Sequence, residues 1–181
     1  MLKTENCYLH IIDPQKRLMN HIHDAERVVD TIIKMIHCAK ILQLPIIANT
    51  QYIKGLGAYV AEIEEVMDTI PRPDKTEFNA TANKETKALI DGLPTEINTA
   101  ILIGVETHIC IYQTALGLQE RGITPWIVAD GVSSRSEANS NSGLLRLESL
   151  GAVIGSMEMI VYELLAKAGT PEFKAILPHI L

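Results

Sequence analysis

Three residue types in this 181-residue chain could together make a nucleophilic site, and each closes a short apolar or extended run. Asp13 ends Cys7-Tyr8-Leu9-His10-Ile11-Ile12 and precedes Pro14, which pushes it out of the helical region. A strand therefore stops there with a carboxylate at its C-terminal edge. Lys75 sits in Ile70-Pro71-Arg72-Pro73-Asp74-Lys75-Thr76-Glu77-Phe78, where two prolines forbid a helix. Cys110 follows the apolar run 99–103, then Gly104 and a polar turn, and opens a helical pattern of Ile111, Thr114, Ala115 and Leu118 that stops at Gly122. Strand, turn and helix in that order predict a thiol at a helix N-terminus, where unpaired N–H groups and the helix dipole favour a thiolate.

A thiol of ordinary pKa, about 8.5, is mostly protonated at neutral pH and needs a base. Asp13 is a candidate for that base, a role worth about 10²- to 10⁴-fold. Lys75 would hold the ion pair together and screen developing negative charge. The backbone N–H of Cys110, with one more from the preceding turn, would form an oxyanion hole worth roughly 3–4 kcal/mol per donor. No histidine is required. Plainer roles stand beside these: a buried free cysteine packs as a small hydrophobe, an Asp before Pro forms turns, and a Lys among extended residues is solvated. Cys7, inside a strand, and Cys38, on a long helix, read as packing residues. Asn20-His21-Ile22-His23-Asp24 invites a metal reading, but a polar loop capping a helix explains it more simply. His108, two residues from Cys110, stands either beside a substrate or behind the site.

The elements that must position these groups follow from hydrophobic period. Helices are predicted over about 24–44 with Asp24 as N-cap, 59–67, 84–90, 141–150, 157–167 and 171–177, and strands over about 7–12, 45–50, 98–103, 123–129 and 152–155. Residues 51–57 read as a glycine-bearing loop, and the strand at 123–129 as ending in Asp130-Gly131. Strands this short and continuously apolar are buried on both faces, which predicts a parallel α/β sandwich. Reactive groups in such sheets gather beyond the carboxyl ends of strands. Asp13, Lys75 and Cys110 all fall there.

The net charge is −6 and no block of Lys or Arg forms a stripe, which disfavours binding nucleic acid through its phosphates. The length fits one domain, residues 1–181, with a core that needs neither metal nor disulfide. Three scattered cysteines predict a reducing compartment, and no signal segment or membrane-spanning apolar run is visible, so a cytoplasmic location is expected. Neither G-x-G-x-x-G nor a P-loop occurs, which argues against a nucleotide-binding module.

Ile11-Ile12-Asp13-Pro14-Gln15, Asp74-Lys75-Thr76-Glu77-Phe78 and Gly104-Val105-Glu106-Thr107-His108-Ile109-Cys110-Ile111 together resemble the isochorismatase-like cysteine hydrolases, over residues 6–165. The segments 49–57 and 128–136 look like the isochorismatase-domain proteins within that superfamily. The resemblance implies a three-layer, Rossmann-like sandwich on a six-stranded parallel sheet of order 3-2-1-4-5-6, with helices on both faces. It implies an Asp13–Lys75–Cys110 triad, a non-proline cis peptide between Val105 and Glu106, and an oxyanion hole from the Glu106 and Cys110 N–H groups. It implies a homo-oligomer acting on a small molecule without metal or other cofactor, and the apolar tail 176–181 is a candidate assembly element. Nicotinamidases of this superfamily carry an Asp–His–His metal site after strand 2, but 51–59 holds neither Asp nor His. True isochorismatases cleave a vinyl ether and generally lack the cysteine, so its presence argues for an amide-type C–N bond and an acyl-thioester. Gln51, Tyr52, Phe78 and His108 are the candidate pocket residues, and Asn79 stands where relatives often carry serine. An ether hydrolase and a non-catalytic binding module are the alternatives.

Overall fold

The structure, a computed structural model, describes residues 2–180. Strands β1 (Cys7–Ile12), β2 (Ile46–Gln51), β3 (Asp74–Lys75), β4 (Thr99–Val105), β5 (Thr124–Ser133) and β6 (Val153–Gly155) form one sheet of order β3-β2-β1-β4-β5-β6, every pair parallel. The helices are α1 (Lys16–Met19), α2 (Ala25–Ile41), α3 (Ile53–Leu56), α4 (Ala61–Met67), α5 (Lys84–Asp91), α6 (Tyr112–Gln119), α7 (Glu137–Ser149), α8 (Met157–Leu165) and α9 (Pro171–Ile180). β1 and β4 are buried along their whole length, because apolar side chains leave both faces of the sheet. One face packs Leu9, Ile11, Ile101 and Ile103 under α2, α4, α8 and α9. The other packs Tyr8, Ile12, Ala100 and Leu102 under α5, α6 and α7. Among the described residues no helix is long and apolar enough to cross a membrane.

Several elements depart from expectation. Residues 53–56 and 16–19 each form one helical turn, too short to leave a periodic signal. Asp24 precedes α2 in a left-handed conformation and does not cap it; its carboxylate accepts from Arg27 Nε at 2.7 Å instead. β5 runs past Asp130-Gly131 to Ser133 through a register shift against β4. The Asp130 side chain accepts from the Met157 N–H at 2.7 Å, tying that irregularity to the start of α8. α9 continues through Pro178, and its Ile176 and Ile180 are buried in this chain's own core against α2. The tail thus contributes to the chain's own core through Ile176 and Ile180, and a truncation before α9 would expose α2; Leu181 lies outside the described residues.

Register brings the reactive ends together. Ile12 pairs with Asn49 on one side and Gly104 on the other, while Gln51 pairs with Lys75. β1 and β4 approach this closely because Gly104 has no side chain: a Cβ there would lie 2.1 Å from the Ile12 carbonyl oxygen, at a φ of +123°. Gly104→Ala should therefore cost about 3 kcal/mol, read as a lowered urea midpoint. An unchanged midpoint would mean the two strands do not meet this closely.

Candidate active site

Asp13 and Lys75 form an ion pair with no exposed side-chain surface on either partner, Nζ donating to Oδ2 at 2.7 Å. Asp13 takes a positive φ of 55° as β1 ends, and its N–H donates to the Asn49 carbonyl. Lys75 also donates to Gln51 Oε1 at 2.6 Å. Gln15 fixes that partner: it accepts from the Gln51 N–H at 2.6 Å and donates to the carbonyls of Gln51 and Gly57. Asp13 Oδ1 is buried without a hydrogen-bond partner at ordinary geometry, and the Cys110 thiol lies within interaction range of the same carboxylate.

Cys110 is buried, and it does not sit at a free helix N-terminus. Residues Thr107–Ile111 form a π-type turn that runs directly into α6. The Glu106 carbonyl accepts from both the Ile109 and Ile111 N–H groups at 3.1 Å, bracketing Cys110. Such wide turns recur at functional sites. Helix α7 supports it from behind, with Ser140 Oγ 3.3 Å from Thr107 Oγ1 and Gly143 leaving only 3.0 Å between a notional Cβ and the His108 nitrogen. The Val105–Glu106 peptide is cis.

The electrostatics correct the expected thiolate. Burial pushes the Cys110 thiol up to about 12, and the Asp13 charge pushes the same way; Lys75 and the Glu106 backbone N–H only partly offset them. Burial also raises Asp13, to about 6, against the opposing pull of Lys75. Both shifts run in the direction that favours a neutral thiol beside Asp13 and Lys75 over a preformed thiolate. This is the division of roles that general-base activation needs.

Of the candidate pocket residues, Gln51 is the one bound to Lys75. Tyr52 and Phe78 are each 52% exposed, flanking the ends of β2 and β3. His108 Nδ1 is 2.9 Å from Ser134 Oγ, and the imidazole borders a groove of about 140 Å³ with Tyr112, Ser142, Gly143 and Arg146. The Asn79 side chain accepts from the Thr81 N–H and hydroxyl and packs against Gly117. His21 and His23 are exposed around buried Ile22, and His23 bonds Ser133 and Ser134 through its backbone. Cys7 and Cys38 are buried, the Cys7 thiol donating to the Lys3 carbonyl. Sequence reasoning missed Gln15, the Glu106 carboxylate and Tyr59, whose buried hydroxyl donates to the Asn49 carbonyl beside Asp13 while Arg72 stacks 4.7 Å over its ring. Burial of a polar side chain leaves no local pattern, so none of the three carried a signal.

A doubly wound parallel sheet with this strand order and polar groups at its carboxyl edge is the architecture of the isochorismatase-like hydrolases. A family model, the isochorismatase domain, matches residues 7–159, and the chain belongs to that family. It is 32% identical over 178 residues to the secreted isochorismatase effector of Phytophthora sojae, covering 97% of this chain and 84% of that one. It is 35% identical over 164 residues to isochorismatase domain-containing protein 1 of Danio rerio, covering 91% and 57%. The solved structure of the MAR1 ribonuclease from Caenorhabditis elegans matches with a TM-score of 0.91 at 30% identity, covering 99% of this chain and 91% of that one. A Staphylococcus aureus nicotinamidase shares the fold at a TM-score of 0.70 and 22% identity, covering 84% and 99%.

Proposed function

We propose that this hydrolase cleaves a small amide-type C–N bond with Cys110 as nucleophile, Asp13 as proton carrier and Lys75 as the charge that holds them. The supporting observation is the buried Lys75–Asp13 pair that shares its carboxylate with the thiol. As the sulfur attacks the carbonyl carbon, the thiol proton passes to Asp13 and the oxyanion accepts from the Glu106 and Cys110 N–H groups. The C–N bond breaks, the amine takes the proton from Asp13, and an acyl-thioester remains. Water then attacks that carbonyl, giving a proton to Asp13; the C–S bond breaks, the sulfur regains a proton, and the acid leaves. Cleaving a vinyl ether would leave the thiol without a task, so the amide reading accounts for more of the site.

Residues 1–181 are read as one hydrolase domain in which the ends of β1, β2, β3 and β4 carry the site. A small-molecule substrate without cofactor fits the net charge of −6 better than RNA does. A homo-oligomer in a reducing cytoplasm completes the reading, supported by the apolar surface that Met159 and Tyr162 leave exposed on α8. Mass spectrometry after incubation with a panel of small amides and p-nitrophenyl esters tests the chemistry. The expected result is an acyl mass increment on the Cys110 peptide. Hydrolysis that survives Cys110→Ala would overturn it.

A further inference from the structure

Glu106 is tied to its surroundings at three points, and only two belong to its backbone. Its N–H approaches the Cys110 sulfur, and its carbonyl anchors the π-type turn through Ile109 and Ile111. Its carboxylate is 8% exposed, which is costly without partners. Those partners come from the loop between β5 and α7: the Arg135 backbone N–H donates to Oε2 at 3.2 Å, and Arg135 Nε lies 3.2 Å from Oε2 and 3.1 Å from Oε1. His108 Nδ1 stands 3.8 Å from Oε2 and 2.9 Å from Ser134 Oγ, so the same loop is gripped a second time from the turn that carries Cys110. Arg135 itself is 58% exposed. A surface arginine is thus joined through one buried carboxylate to the backbone donor that faces the nucleophile.

We infer that the Glu106 carboxylate, held by Arg135, is a positioning group that keeps the Glu106 N–H trained on the Cys110 sulfur and so keeps the oxyanion hole formed. This rests on the nucleophile reading above. The group touches neither substrate nor reacting atoms; it acts through the backbone of its own residue. Arg135→Ala still leaves a backbone N–H on Oε2, so it loosens the donor less than Glu106→Ala does. Glu106→Gln keeps one acceptor oxygen and falls between wild type and Glu106→Ala.

Two reactions of the same thiol separate this role from a merely structural one. Acylation by p-nitrophenyl acetate passes through an oxyanion, whereas alkylation by iodoacetamide does not. Both are followed on Cys110 by mass spectrometry, with folding checked by circular dichroism. Glu106→Ala should slow acylation by about 10- to 100-fold, less than the roughly 10²- to 10³-fold lost when a donor is deleted outright. Arg135→Ala and Glu106→Gln should lose less, and alkylation, which loses only the partial offset that the Glu106 N–H gives the thiol, should fall less than acylation in every variant. Acylation unchanged in Glu106→Ala overturns the inference, and so does a parallel fall in both reactions, which marks a structural role. A wild-type protein that is not acylated at Cys110 overturns the nucleophile reading and this inference with it.

Discussion

Lys75→Met is expected to destabilise the protein by about 3–5 kcal/mol, the usual cost of leaving a buried charge without its partner. Neither side chain of the Asp13–Lys75 pair reaches solvent, so water cannot take the place of the lost ammonium. The effect has a pH sign. Burial already raises Asp13 to about 6, above its value in an unfolded chain, and Lys75 is what opposes that rise. Without Lys75 the folded state holds the proton more tightly still. A carboxyl whose pKa is raised by folding contributes stability at low pH that is lost as pH rises. The destabilisation should therefore be smaller at pH 5 than at pH 8 in urea unfolding. Asp13→Asn combined with Lys75→Met removes both charges, keeps a residue that tolerates the left-handed backbone at this position, and should recover most of the loss. A single variant that loses under about 1 kcal/mol, with a double variant no better, would contradict the pair's isolation from solvent.

Asp13→Asn alone should slow acylation of Cys110 by about 10²- to 10⁴-fold, the range of a positioned general base. A thiol pushed up to about 12 offers almost no thiolate at neutral pH, so its reactivity depends on a base within reach. Asn preserves shape and most hydrogen bonding but accepts no proton. The comparison is made by stopped-flow with p-nitrophenyl acetate on protein shown folded by circular dichroism. A loss of less than about threefold would assign the proton to some other group.

How much of this was legible in the sequence depended on how local the cause was. Continuous apolar runs such as Ala100-Ile101-Leu102-Ile103 announced buried parallel strands, and the residues closing them pointed to Asp13, Lys75 and Cys110 before any contact was known. The strand order came from a family resemblance, since nothing in a run of Ile and Val says which strand lies beside it. One-turn elements at 16–19 and 53–56 were illegible because a single turn has no period. Partnerships across long separations, Gln15 with Gln51 and Glu106 with Arg135, depend on register and could not be read from either residue alone. The charge state of Cys110 departs from the sequence expectation for a related reason. Helix position favours a thiolate, but the depth of burial and the orientation of the Asp13 carboxylate decide the outcome, and both are tertiary properties.

The pH dependence of Cys110 alkylation by iodoacetamide, followed by mass spectrometry in wild type and in Asp13→Asn, tests the central claim most directly. Because Asp13 must lose its proton to act as base, the wild-type rate should rise about tenfold per pH unit below about 6 and level off above it, with that limb absent in Asp13→Asn. A wild-type rate that instead climbs steadily through pH 8.5 as for a free thiol, and is the same in Asp13→Asn, would show that Cys110 is not activated by Asp13.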